Sequence, residues 1–284
     1  MKFFIGIMPT MIKLINNDIL KVDFSEIHPI NLIVTSPVYN VGINYNTYSD
    51  TMIYAEYLEW SEKWIAKCFS IQPISGRICI NVPFTTTPVH LKKEKEADYL
   101  NYSLATDITK ICQSAGYKYY RTIVWKKLGS SKTCWGSWAS ARCPLMIDPN
   151  ESILVFYKES WKRKDKGIST ISGKEFLTNI KNLWEMRPET HSKHPASFPL
   201  ELPHRCIQLF SYKNDNIMDC FMGGGTTGEA AVRLERNFIG VEMSQKYFDM
   251  AKERIESAEL QTKLAGKIMP NCPIDAKDST AEQW

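Results

Sequence analysis

The chain has 284 residues, 44% hydrophobic and 23% charged, which suits one large α/β domain or a core with a small lobe. A net charge of +4 gives no case for a nucleic-acid partner from total charge; only a local basic patch could make one. The eight cysteines (Cys68, Cys79, Cys112, Cys134, Cys143, Cys206, Cys220, Cys272) contain no C-x-x-C pair, which argues against a metal ribbon and for buried reduced thiols.

In chain order, the apolar run at the start is short and interrupted by Pro9, unlike a signal peptide. No stretch approaches the roughly 18–20 apolar residues of a membrane helix, so a soluble, cytoplasmic protein is expected, with no membrane partner. Residues 31–35 read as a buried strand that stops at Ser36-Pro37. Apolar spacing predicts a helix over 52–70, then a strand over 77–82. A helix over 96–114, ended by Gly116, precedes strands at 121–125 and 152–157. After Pro199 come a helix to about 210, a strand at 216–220, a glycine-rich turn, a helix at 226–235, a strand at 237–241 and a helix at 244–258. Such alternation calls for a sheet covered on both faces.

Residues 126–192 differ in character. Lys126, Lys127, Lys132, Arg142, Lys158, Lys162, Arg163, Lys164, Lys166 and Lys174 are interleaved with Trp135, Trp138 and Trp161. Cations for phosphates and flat rings for stacking are what a nucleic-acid surface uses. A solvated loop region with incidental lysines is the alternative.

Gly223-Gly-Gly225-Thr-Thr-Gly228 follows a strand and opens a helix. Small residues let a cofactor approach the backbone, and a helix N-terminus favours an anionic group. Glu242, at the end of the next strand, can accept from both hydroxyls of a ribose. Too little chain follows this turn to supply the rest of a sheet, so the remaining strands must come from the N-terminal half. That order implies a circular permutation and points away from an ordinary dehydrogenase.

Three segments carry a resemblance. Asp219-Cys-Phe-Met-Gly-Gly-Gly-Thr-Thr-Gly228 is similar to the cofactor motif D-P-F-x-G-S-G-T-T of amino-methyltransferases. Thr35-Ser-Pro-Val-Tyr-Asn40 resembles their catalytic motif T-S-P-P-Y-N, and His194-Pro-Ala-Ser-Phe-Pro199 their H-P-A-x-F-P segment. The motif order resembles that of the β class of DNA amino-methyltransferases of restriction-modification systems. Trp135-Gly-Ser-Trp138 with Glu151 resembles the middle of the cytosine-N4 branch, and Asn17-Asp18 a Gly-Asp pair near the family's N-terminus.

The resemblance implies a circularly permuted Rossmann-like fold with a mostly parallel sheet, helices on both faces and a small DNA-recognition segment. Residues 1–127 would be the catalytic half, 128–192 the target-recognition segment and 193–284 the cofactor-binding half. It implies S-adenosylmethionine as cofactor and double-stranded DNA as partner, with a cognate restriction endonuclease acting on the same site. Phe221, Gly223, Gly225 and Thr226 would surround the methionine part of the cofactor, with Asp219 at the strand end. Glu242 would take the ribose and Asp18 the adenine amino group. Lys132, Trp135, Trp138, Lys162, Arg163 and Lys164 would contact DNA, and His194 would be structural.

The chemistry makes its own demands. An exocyclic base amine is a poor nucleophile because its lone pair is delocalised into the ring. Acceptors aimed at its two N–H groups localise that pair, and the Ser36 hydroxyl and Pro37 carbonyl are the candidates. Tyr39 would stack on a base swung out of the duplex. Transfer is direct, so neither a cysteine nucleophile nor a metal is required. Val38 replaces the second proline of the catalytic motif, Gly224 the serine of the cofactor motif and Cys220 its proline. Serine at position 36 favours cytosine N4; adenine N6 is the alternative. A DNA-binding protein that kept the fold with weak or no catalysis is another reading, and Val38 speaks for it. A nicotinamide-dependent oxidoreductase rests on the glycine turn alone.

Overall fold

A computed structural model describes residues 10–27, 29–43, 50–87, 101–129, 140–142, 144, 146, 148–189 and 197–268. Its centre is an eight-stranded sheet of β1 (Ile12–Asn16), β2 (Leu32–Thr35), β3 (Arg77–Pro83), β4 (Tyr117–Lys127), β5 (Asn150–Lys158), β6 (Leu183–Met186), β7 (Asn216–Asp219) and β8 (Asn237–Glu242). The spatial order is β1-β8-β7-β2-β3-β5-β4-β6. Among these strands β5 runs against its neighbours, antiparallel to both β3 and β4, while the other pairs are parallel. The last two strands in sequence sit among the first ones in space, which is the permutation expected.

Helices cover both faces. On one, α1 (Tyr54–Ile71) and α2 (Leu104–Ser114) place Trp64, Ile65, Cys68 and Ile108 against Ile33, Ile78, Ile80 and Val82. On the other, α4 (Glu201–Phe210), α5 (Thr226–Arg233) and α6 (Gln245–Ile268) place Cys206, Ile207, Ala230, Ala231 and Ile255 against Leu32, Val34 and Cys79. Alternate residues of β2 and β3 thus feed opposite cores, which is why these strands are apolar almost without interruption.

The differences from the sequence reading have local causes. The helix expected over 96–114 begins at Leu104, because Tyr102 pairs with Thr86 in a β-bridge and holds 101–103 extended; 96–100 lie outside the described residues. The edge strands β1 and β6 and the short α3 (Gly173–Asn179) are additions to the expected elements. In β6 only Trp184 and Met186 are buried, too short a pattern to read. A capping box between Ser172 and Glu175 starts α3. Both β5 and β6 fall within 128–192, so much of that segment belongs to the main sheet. Among the described residues no helix is long and apolar enough to cross a membrane.

The reversed direction of β5 decides which connecting segments lie near which edge of the sheet. The carboxyl ends of the parallel strands form one edge, and β5 begins there. β4 ends at Lys127 and β5 begins at Asn150 at this edge, whereas β5 ends at Lys158 and β6 begins at Leu183 at the opposite one.

Candidate active site

Chain order reverses between β7 and its neighbour β2, and ligands of open α/β sheets bind outside the carboxyl ends of strands at such a point. A cavity of about 290 Å³ lies there. Asp18, Ser36, Pro37, Tyr39, Phe221, Gly223, Thr226 and Glu242 all line it, so residues expected at the cofactor and at the substrate share one space.

One wall is the glycine turn. Glu242 accepts N–H bonds from Gly223 at 2.8 Å through Oε2 and from Ser244 at 2.8 Å through Oε1. Burial raises its carboxyl above the ordinary range, and these N–H groups oppose the rise. Asp18 Oδ1 caps its own turn by accepting the Leu20 N–H at 2.9 Å. Thr226 Oγ1 accepts from Arg254 at 2.9 Å.

Asp219 and Gly225 stand behind the wall. Asp219, 1% exposed, accepts from Thr35 at 2.7 Å, Thr227 at 2.7 Å and the Phe221 N–H at 3.1 Å. It joins β2, β7 and the turn, and both its oxygens are engaged in doing so. Gly225 has φ +81°, and a Cβ there would lie 2.8 Å from the Ala251 Cα of α6. It lets the turn approach the helix.

The other wall gathers distant strands. Register places Thr35 beside Ile80, so Ser36 follows next to Asn81, and its hydroxyl lies 3.1 Å from the Asn81 carbonyl. Because β5 runs backwards, its second residue, Glu151, meets the end of β3 and pairs with Trp125 of β4. The Tyr39 hydroxyl lies 2.7 Å from Ser36 Oγ and donates to Glu151 Oε2 at 3.1 Å. Asn81 Nδ2 donates to both the Tyr39 hydroxyl and Glu151, at 2.9 and 2.6 Å, and Lys127 pairs with the second Glu151 oxygen. The Val38 carbonyl accepts from the buried Tyr57 hydroxyl at 2.8 Å. A side-chain hydrogen bond thus anchors the loop where the motif's second proline is missing.

Sequence reasoning missed Asn81 and Lys127 as part of this wall, and Trp60, Ser244 and Tyr247 on the cavity. Asn81 left a signal, being the one polar residue inside the run 78–82.

The expected DNA contacts fare differently. Lys132, Trp135, Trp138 and His194 lie outside the described residues, although Ser197 and Phe198 of the His194 segment line the cavity. Arg163 is no surface cation: its side chain is 9% exposed, pairs with Asp215 and Asp165, and stacks on Tyr212. Lys162 and Lys164 are solvent-facing, but they follow β5 at the edge away from the cavity. The seven residues of β3 separate the two edges, roughly 20 Å at the rise of a strand.

A mostly parallel sheet with a glycine turn and an acidic strand end at its switch point defines an α/β protein that binds a nucleoside-bearing cofactor. The sequence matches the DNA methylase family, which spans N6- and N4-specific enzymes, over residues 30–253, and the chain belongs to that family. The type II methyltransferase M.MjaVI of Methanocaldococcus jannaschii is 43% identical over 180 residues, 63% of this chain and 87% of that protein. M.HpaI of Haemophilus parainfluenzae is 26% identical over 270 residues, 89% of this chain and 76% of that one. A Thermus thermophilus protein described as a DNA modification methylase, solved with S-adenosyl-L-methionine, superposes with a TM-score of 0.68 at 25% identity, covering 87% of this chain and 93% of its own. The cytosine-N4-specific PvuII DNA methyltransferase shares the fold, with a TM-score of 0.64 at 18% identity over 89% of this chain and 93% of its own.

Proposed function

We propose that this DNA methyltransferase transfers the methyl group of S-adenosylmethionine to the exocyclic N4 of a cytosine swung out of the duplex. The modified site would be shared with a cognate restriction endonuclease. The observation that carries the reading is the shared cavity in which Ser36, Pro37 and Tyr39 face Asp18, Gly223 and Glu242.

The cavity fits the cofactor. Ser244 Oγ is buried on its wall with no hydrogen-bond partner among the described residues, an orphan that a bound nucleoside would satisfy. Glu242 takes the ribose hydroxyls and Asp18 the adenine amino group, while Phe221, Gly223 and Thr226 enclose the methionine part. Asp219 and Gly225 support them from behind. The bound cofactor supplies an electrophilic methyl group. Ser36 Oγ and the Pro37 carbonyl accept the two N–H groups of the target amine, which frees its lone pair. Tyr39 packs against the base, and residues 128–149, which join the end of β4 to the start of β5, contact the duplex.

Position 36 holds a hydroxyl where a carboxylate or amide is more usual for adenine, which supports cytosine. The test is to incubate unmodified genomic DNA with the protein and labelled cofactor, digest to nucleosides and weigh the product. N4-methylcytosine is expected. Labelled N6-methyladenine would move the target to adenine, and DNA binding without label would leave a binding protein.

A further inference from the structure

The direction of the hydrogen bond between Ser36 and Tyr39 is set by the groups behind it. The phenol has one proton, and it points at a carboxylate, Glu151 Oε2, at 3.1 Å. The phenol oxygen already receives Asn81 Nδ2 at 2.9 Å. The 2.7 Å contact with Ser36 is then a bond that Ser36 donates, with the Asn81 carbonyl as the other acceptor for the same proton. Ser36 is left presenting lone pairs to the cavity. The donors run one way, from Ser36 to Tyr39 to Glu151. Asn81 fixes the phenol and the carboxylate through one nitrogen, and Lys127 balances the charge of the carboxylate.

We propose that Glu151 is the terminal acceptor for the proton that the target amine sheds, reached through Ser36 and Tyr39. The proposal rests on the amino-methylation reading above. As the amine gains its methyl group, one N–H bond breaks and the electron pair stays on nitrogen. That proton passes to Ser36 Oγ, the Ser36 proton passes to Tyr39 Oη, and the Tyr39 proton passes to Glu151 Oε2. The amine ends neutral, Ser36 and Tyr39 are regenerated, and Glu151 ends as a carboxylic acid. No oxidant or co-reactant is needed. Glu151 touches neither substrate nor cofactor, so it is a positioning residue that acts through two others. The reversed strand β5 is the device that brings it there.

The experiment uses the full chain in a single turnover on DNA. An infrared difference spectrum of the trapped product complex is expected to gain the C=O band of a protonated carboxylic acid, absent in Glu151→Gln. Glu151→Gln combined with Lys127→Met avoids an orphaned cation. This pair, and separately Tyr39→Phe, should each slow the turnover by about 100-fold, a common worth of acid–base assistance, with cofactor affinity unchanged. All three changes together should be no slower than either set, since they cut one path. A wild-type spectrum without the band, a Gln–Met variant at full rate, or losses that multiply would each overturn the relay. If the wild type transfers no label to DNA, the methylation reading fails as well; transfer without the band removes the relay alone.

Discussion

The two walls of the cavity are built by opposite means. Apart from Asp18, the cofactor wall comes from one stretch, 219–244, and consists of backbone N–H groups and carboxylates already engaged within the protein. The substrate wall is made of side chains gathered from several strands and their ends, with bonds spanning 45, 70 and 112 residues of sequence. A wall of backbone tolerates changes of side chain, and Gly224 and Cys220 are such changes. A wall of side chains fails at single positions unless another bond compensates, as Tyr57 does beneath Val38.

The sharpest way to break the contrast is Glu242→Ala, because it removes the carboxylate proposed to hold the ribose together with the acceptor of the Gly223 and Ser244 N–H groups. We expect cofactor affinity, measured by calorimetry, to fall at least about 100-fold, roughly 3 kcal/mol. A loss below about fivefold would show that backbone alone carries the affinity. Burial raises the Glu242 carboxyl, so wild-type affinity should begin to fall at a higher pH than an ordinary carboxylate would dictate.

Gly225→Ala tests the same wall through its backbone. Left-handed φ and the close approach to Ala251 should together cost roughly 2 kcal/mol of stability in chemical denaturation. A neutral result would mean that the turn and α6 are not locked together.

Asp219, the tie between the walls, gives a smaller and pH-dependent effect. Burial pushes its carboxyl up to about 6 against the donors Thr227, Thr35 and Phe221, with nearby Glu242 adding to the rise. An unfolded aspartate titrates near about 4, so in between the folded chain binds the extra proton. The cost of burying the charge is full above about pH 6 and is relieved as pH falls through it. Asp219→Asn is neutral throughout, so relative to wild type it should lose about 1 kcal/mol of stability between about pH 7 and pH 5. Parallel stability curves for the two proteins would show that the carboxyl is not raised.

The same contrast explains what the sequence could disclose. The glycine turn and Glu242 lie within one strand–turn–helix–strand run, and Ser36 ends a strand, so both are legible along the chain. Asn81, Glu151 and Lys127 come together only through the reversal of β5, and no local spacing encodes the direction of a strand. Asp219 and Gly225 carry the right motif for an indirect reason: they hold the turn together and stand behind the surface a ligand would touch. Arg163 misleads because a basic triplet looks alike whether its middle residue is solvated or held by Asp215.

The smallest effect separates the two edges of the sheet. Arg142 is exposed and lies in sequence between the end of β4 and the start of β5, both at the cavity edge, whereas Lys162 and Lys164 lie beyond the far end of β3. A phosphate contact adds about one counterion to the salt dependence and a modest increment of affinity. Arg142→Glu should therefore weaken DNA binding by roughly 1 kcal/mol and lower the salt slope by about 1. Reversing both Lys162 and Lys164 to Glu should leave affinity within about twofold, because the duplex presented to Ser36 does not reach that edge. Filter binding across a salt series measures both. If the double reversal weakens binding as much as Arg142→Glu, the DNA wraps from one edge to the other and the far basic residues belong to its path.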